Sequence, residues 1–210
     1  GLSWYDAEGR VRRRDDRAAD GTPAASARWS FDTGTATTQG AGQLQREEDP
    51  VSGYLKTYGY DGLGRAARSQ TVIGGTAYVE RATYDPFGRP FQSFDAFNGS
   101  SDTGVEGLRY EYNSAGYLST VREAAHGAGR HRYWQAQTMN ARGQLTQARH
   151  GANLVTTTDY YADSGLVKAV QSKTGGTWLQ DLSYTWNDLG NLSNRTDHGY
   201  QKNFQETFQY

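Results

Sequence analysis

The sequence predicts an all-β fold built from tandem β-hairpins, and three observations support this prediction. Aromatic residues make up 13% of the 210 residues, with 15 Tyr, 5 Trp and 7 Phe. Aromatic side chains favour strands. The chain also contains 26 Gly, which suit tight turns, and a single Met. Finally, one short motif recurs along nearly the whole chain. We therefore expect strands and turns whose sheet faces are covered by Tyr and Trp.

The recurring motif is an aromatic residue, then Asp or Asn, two variable residues and Gly. Clear copies begin at Tyr5, Tyr60, Tyr84, Tyr112 and Trp186. Weaker copies are Met139-Asn140-Ala141-Arg142-Gly143, Tyr161-Ala162-Asp163-Ser164-Gly165 and the shortened Phe31-Asp32-Thr33-Gly34. The glycines of these eight repeats follow one another at about 25 residues, at Gly9, Gly34, Gly64, Gly88, Gly116, Gly143, Gly165 and Gly190. Such regular spacing indicates a repeat protein.

Turn chemistry explains the motif. Asp or Asn accepts hydrogen bonds from backbone N–H groups two residues on, and the two variable residues fit the centre of a type I turn. Glycine then supplies the left-handed conformation of a G1 bulge. We predict structural turn roles for Asp6, Gly9, Asp61, Gly64, Asp85, Gly88, Asn113, Gly116, Asn140, Gly143, Gly165, Asn187 and Gly190.

Strand residues flank these turns. Leu182, Tyr184 and Trp186 alternate with polar residues, as one face of a strand does. Second turns are predicted between the repeats, for example at Gly74-Gly75 and Gly175-Gly176. Each repeat is then a strand, a turn, a strand and a second turn. We expect residues 1–210 to form a single array of such hairpins, one long, curled antiparallel sheet within a longer chain.

The repeats resemble the YD-repeat (Rhs) family, which includes bacterial Rhs and wall-associated polymorphic toxins, the C components of toxin complexes, and teneurins. The best matches are Tyr60-Asp61-Gly62-Leu63-Gly64-Arg65, Tyr84-Asp85-Pro86-Phe87-Gly88-Arg89 and Tyr112-Asn113-Ser114-Ala115-Gly116-Tyr117-Leu118. The resemblance implies a partial shell, or cocoon, that encloses a toxic cargo and is secreted or delivered to a target cell. Its partners would be that cargo or neighbouring repeats. Asp85-Pro86-Phe87-Gly88 matches the family's Asp-Pro-x-Gly, but we interpret it as a repeat turn.

Charge and composition favour a non-catalytic role. The formal net charge is -1, so nucleic acid is not an expected partner. Without Cys the chain has neither a disulfide framework nor a Cys-based zinc site. No apolar run reaches the roughly 20 residues of a membrane span. No motif of an enzyme, a cofactor site or a metal site is recognisable, and we expect no catalytic residue, cofactor or metal.

Two alternatives remain. A carbohydrate- or cell-surface-binding module would bind glycans, or another protein, through stacking aromatics, with Trp134 and Trp178 as the candidates. A hydrolase would use a loop histidine, with His131 and His150 as the residues to test; His126 and His198 also lie near predicted turns. A triad assembles in space rather than along the sequence, so its absence as a motif does not exclude it.

Overall fold

The computed structural model describes residues 1–32, 40–98, 107–124, 131–199 and 203–210. These residues form strands and turns, and none of them belongs to a helix that could cross a membrane. The predicted all-β fold is confirmed. Two residues singled out in the sequence, Gly34 and His126, lie outside the described residues.

Two compact units divide the chain, Gly1–Arg109 and Tyr110–Tyr210. The strands of the first unit are β1 Leu2–Tyr5, β2 Val11–Arg17, β3 Pro23–Phe31, β4 Leu44–Asp49, β5 Tyr54–Tyr60, β6 Ala66–Ile73, β7 Thr76–Tyr84 and β8 Pro90–Asn98. Strand β9, Gly107–Tyr112, contains the boundary. The strands of the second unit are β10 Leu118–Glu123, β11 Arg132–Met139, β12 Leu145–His150, β13 Leu154–Tyr160, β14 Val167–Thr174, β15 Thr177–Trp186, β16 Leu192–Asp197 and β17 Phe204–Thr207.

Within each unit, every strand pairs antiparallel with the next strand along the chain. The second turns between repeats include two Gly-Gly pairs with left-handed backbone. Gly74 and Gly75 have φ of 56° and 81°, and Gly175 and Gly176 have φ of 52° and 90°. Positive φ at both central residues is the requirement of a type I′ hairpin turn. These turns fix the register of β6 on β7 and of β14 on β15.

The sheets have almost no enclosed core. Among the described residues, the buried apolar side chains are Ala124, 6% exposed, and Ala148, 4% exposed. The buried polar residues include Asp32, Thr120 and Ser172. Cross-strand pairs and backbone ladders must therefore supply most of the stabilisation. This makes the contacts at the turn edge, where repeat meets repeat, important for the fold.

Candidate functional site

The turn at Asp61 shows the geometry of the repeat most completely. The N–H of Gly64 donates to the carbonyl of Asp61 at 2.9 Å, and the N–H of Asp61 donates to the carbonyl of Arg65 at 2.9 Å. Gly64 has φ of 75°. The carboxylate of Asp61 accepts the N–H groups of Leu63 and Arg65 at 2.9 and 3.0 Å. This is a type I turn followed by a G1 bulge.

Five further turns have the same backbone hydrogen bonds and a left-handed glycine. Their first residue and their glycine are Asp6 and Gly9, Asp85 and Gly88, Asn113 and Gly116, Asn140 and Gly143, and Asn187 and Gly190. Asn accepts the same pair of N–H groups through Oδ1, as Asn187 does from Leu189 and Asn191 at 3.0 Å each. Asp and Asn are interchangeable here because both offer a side-chain oxygen at the same place.

Arginine after the glycine adds an ion pair to the Asp turns. Arg65 Nε donates to Asp61 Oδ2 at 2.7 Å, and Arg10 and Arg89 pair with Asp6 and Asp85 in the same way. The guanidinium of Arg65 and its backbone N–H hold the pKa of Asp61 below its ordinary value. The carboxylate is therefore ionised at neutral pH.

Two turns differ from the motif. In the second repeat, Gly42 and Gln43 make the hydrogen bonds with Asp32 that Gly64 and Arg65 make with Asp61, at 2.8 Å each, and Gly42 has φ of 76°. The sequence assigned this turn to Gly34. Gly42-Gln43-Leu44 repeats Gly143-Gln144-Leu145, a signal in the sequence that the additional residues between Asp32 and Gly42 concealed.

The turn around Gly165 is one residue longer than the motif. Gly165 N–H donates to the carbonyl of Tyr161 at 2.8 Å, and Tyr161 N–H donates to the carbonyl of Leu166 at 2.9 Å. Tyr161 therefore takes the place that Asp61 has in its turn, and Tyr160 takes the place of the motif's aromatic residue. The motif as matched in the sequence instead has Tyr161 as its aromatic residue.

A second bulge follows seven of the turns, and the sequence did not predict it. Tyr60 pairs with Ala66 while Gly59 pairs with Arg68, which leaves Ala67 without a directly opposite residue. The register shifts in the same way next to Tyr5, Phe31, Tyr84, Met139, Tyr160 and Trp186. This bulge interrupts the alternation expected after the glycine, for example between Leu145 and Gln147.

In four repeats, the Tyr or Trp at the motif's aromatic position donates a hydrogen bond to a backbone carbonyl at the bulge of the preceding repeat. The acceptor is always the residue two positions after the glycine. The bonds are Tyr60 hydroxyl to Leu44 at 2.5 Å, Tyr84 hydroxyl to Ala66 at 2.8 Å, Tyr160 hydroxyl to Leu145 at 2.9 Å and Trp186 Nε1 to Val167 at 2.7 Å. Tyr and Trp can make this bond because each carries a donor at the far side of its ring.

In three repeats, the residue after the turn glycine donates a hydrogen bond to the next turn. Arg10, Gln43 and Gln144 donate to the carbonyls of Gly42, Gly64 and Gly165 at 2.9, 2.6 and 2.8 Å. The guanidiniums of Arg10 and Arg65 also lie over the rings of Phe31 and Tyr84, each 4.2 Å from the centroid. We call each of these contacts a rung, and the series of turns that they join the turn ladder.

The two candidate stacking residues lie apart. Trp134 is half-buried in β11, opposite Val121 and His150. Trp178 in β15 is 50% exposed, with Nζ of Lys173 5.5 Å from its ring centroid. Three strands, β12 to β14, separate them, or about 19 Å at 4.8 Å per strand. They do not form one platform.

The histidines show no metal centre in the described part of the chain, where no group of three His, Cys, Asp or Glu could hold an ion. His131 immediately precedes β11 and His150 ends β12, and no serine among the described residues bonds either ring. His198 is the histidine that does approach a serine: Ser183 Oγ is 2.9 Å from its Nε2, and Asn203 Oδ1 is 3.2 Å from its Nδ1. The imidazole is exposed, so water competes for it. We interpret these bonds as joining β15 to the start of β17.

No family model and no curated protein matches the sequence. Solved structures do match. The chain is similar to the crystal structure of TcdB2-TccC3-TEV, with a TM-score of 0.70 and 15% identity over 100% of this chain and 12% of that one. It is also similar to the Photorhabdus luminescens Tc holotoxin pore carrying a TccC3 mutation, with a TM-score of 0.67 and 17% identity over 96% of this chain and 11% of that one. The expected likeness to toxin-complex proteins is confirmed for the fold.

Proposed function

We propose that the chain is a non-catalytic wall segment of a bacterial Rhs-type toxin shell that sequesters a toxic cargo. The observation that carries this proposal is the turn ladder. Side chains of the turns join one hairpin to the next, which is a contact that a continuous wall needs. The fold shared with two Tc toxin structures supports the same role.

The wall acts by exclusion. A backbone ladder satisfies the hydrogen-bonding groups of each strand, and the rungs hold consecutive turns together at the edge, where a sheet with little core would otherwise open. Each rung adds a modest stabilisation, but the repeats couple only to their neighbours, so the contributions accumulate along the array. Such a wall keeps a polypeptide on one side away from proteases on the other.

The remaining features of the proposal follow from the repeat. We propose that residues 1–210 are a single array of about eight repeats and a segment of a longer shell. The chain spans only 12% and 11% of the two toxin chains that it resembles, which supports the second part of this proposal. Its partners are neighbouring repeats and the cargo. The whole product is secreted or delivered to a target cell.

Limited proteolysis of the complete gene product tests the proposal. A cargo segment inside the wall should survive protease concentrations that digest the same segment expressed alone. Loosening the wall with Gly64→Val and Gly190→Val together should restore digestion, while Gly62→Ala, a turn substitution at a glycine without positive φ, should not. Digestion of the segment at equal rates in the complete product and alone would contradict sequestration.

Carbohydrate binding is a second candidate, favoured by the exposed ring of Trp178. Flat aromatic faces stack on sugar rings. Glycan-array binding that disappears with Trp178→Ala but persists with the half-buried Trp134→Phe would support it. Absence of binding to all glycans would leave the wall as the sole candidate of the two.

A further inference from the structure

The contact between the Gly165 turn and the Gly190 turn differs from the rungs described above. Leu166 follows Gly165 and so occupies the place that Arg10, Gln43, Arg65 and Gln144 occupy in their repeats. Its side chain has no hydrogen-bond donor. It therefore cannot bond the carbonyl of Gly190, as Arg10 bonds that of Gly42 at 2.9 Å.

A cavity of about 420 Å³ lies at this place, between the turn of Tyr161 to Leu166 and the turn of Asn187 to Gly190. Leu166, Trp186, Asp163, Asp188 and Gly190 are among the residues that line it. A Leu side chain is shorter and less polar than an Arg side chain. Leu166 therefore places no guanidinium in the space between the two turns.

The walls suit a cation with N–H donors. Trp186 is equivalent to Tyr84, since both bond the carbonyl two residues after the preceding turn glycine. In the earlier repeat the guanidinium of Arg65 lies 4.2 Å from the centroid of Tyr84. An indole ring attracts a cation more strongly than a phenol ring. The cavity thus offers a guanidinium the same kind of partners as an earlier rung does, and its aromatic ring, the indole of Trp186, attracts a cation more strongly than the phenol of Tyr84.

The two carboxylates add negative charge. Asp163 accepts the N–H of Ser164 at 2.7 Å, and this hydrogen bond lowers the pKa of Asp163, which keeps the group ionised. The charge of Arg142 also lowers the pKa of Asp163, and its guanidinium donates to the carbonyls of Ala162 and Asp163 at 2.8 and 3.0 Å. Lys168 lies with Nζ 5.9 Å from the ring of Tyr161. Neither cation lines the cavity.

We propose that the cavity between Leu166 and Trp186 binds a guanidinium group, presented by an arginine side chain of an extended polypeptide. The arginine completes the interrupted rung: its guanidinium lies over Trp186, donates to the carbonyl of Gly190 and pairs with the carboxylates of Asp163 and Asp188. Guanidinium is favoured over ammonium because a planar fork stacks on a ring and donates in several directions at once. This inference concerns one binding site and stands whether or not the chain encloses a cargo.

The experiment uses the 210-residue chain and N-acetyl-arginine amide as the probe. Nitrogen-edited NMR follows the indole N–H of Trp186, identified as the signal lost in Trp186→Phe. We expect a saturable shift with N-acetyl-arginine amide, binding at least five-fold weaker for the lysine amide, and at least ten-fold weaker for the citrulline amide, which has a similar shape without the charge. A citrulline probe that binds as well as arginine, or no saturable shift, would overturn the proposal.

Two variants locate the site. Leu166→Arg supplies an internal guanidinium and should weaken probe binding at least ten-fold, while Leu179→Arg, the same change on β15 at a residue 60% exposed, should leave binding within two-fold. Asp188→Asn, at an exposed position, should weaken binding about three-fold and does not depend on Leu166→Arg folding. Equal affinity in wild type, Leu166→Arg and Asp188→Asn would place the probe elsewhere and refute the assignment.

Discussion

Tyr160→Phe isolates one bond of the turn ladder. The substitution removes a hydroxyl that donates at 2.9 Å to the carbonyl of Leu145, and the ring remains to pack as before. A hydrogen bond of this type contributes about 1 kcal/mol, and a carbonyl left without a partner costs about 1–3 kcal/mol when fully buried. Tyr160 is half-buried, so water replaces part of the bond, and we expect a loss of about 1 kcal/mol.

Urea unfolding followed by circular dichroism measures this loss. At this chain length about 1 kcal/mol corresponds to a fall in Tm of about 2–4 °C. The matched control is Tyr133→Phe, whose hydroxyl makes no hydrogen bond in the described residues and whose side chain is 48% exposed. Its effect should stay within about 0.5 kcal/mol. Equal stability of the two variants would refute the idea that the aromatic hydroxyl fixes one repeat to the next.

The remaining predictions concern one turn and one histidine contact. Gly64→Ala should destabilise by about 1 kcal/mol because φ is 75°, while Gly62→Ala, in the same turn but without positive φ, should be neutral in the same urea assay. Arg65 lowers the pKa of Asp61 in the folded state, so the ion pair stabilises the fold fully above the ordinary carboxyl pKa of 3.8. This stabilisation is lost as the pH falls through the lowered pKa of the folded state. Wild type and Asp61→Asn should therefore converge in stability below the lowered pKa. A fluorophosphonate probe should not label Ser183, and labelling that His198→Ala abolishes would instead support a hydrolase.

The turns could be predicted from the sequence because their chemistry is local. In the turn at Asp61, most hydrogen bonds involve the Asp and the Gly three residues later. Residues far away in the sequence are not needed to predict such a turn. The same locality explains the two misplacements. Additional residues separate Asp32 from Gly42 in the sequence, and two adjacent tyrosines, Tyr160 and Tyr161, make the longer turn ambiguous.

The second bulge and the rungs could not be predicted because they depend on pairs of strands. The hydroxyl of Tyr84 bonds Ala66, and this becomes visible only when the register of one hairpin on the next is known. The guanidinium cavity depends on the same knowledge. Nothing in the sequence singles out Leu166. Its difference becomes visible only by comparison with Arg10 and Gln144, which occupy the same position in their repeats and bond the next turn. Ser183 and His198 likewise meet only through the pairing of β15 with β16.

A cryo-electron microscopy map of the complete gene product tests the central claim most directly. We expect the hairpins of residues 1–210 to form part of a continuous wall, with their turns stacked in register and with density for a separate polypeptide on one side of it. A map in which both faces of these hairpins meet solvent, and no polypeptide lies behind them, would contradict the role in containment.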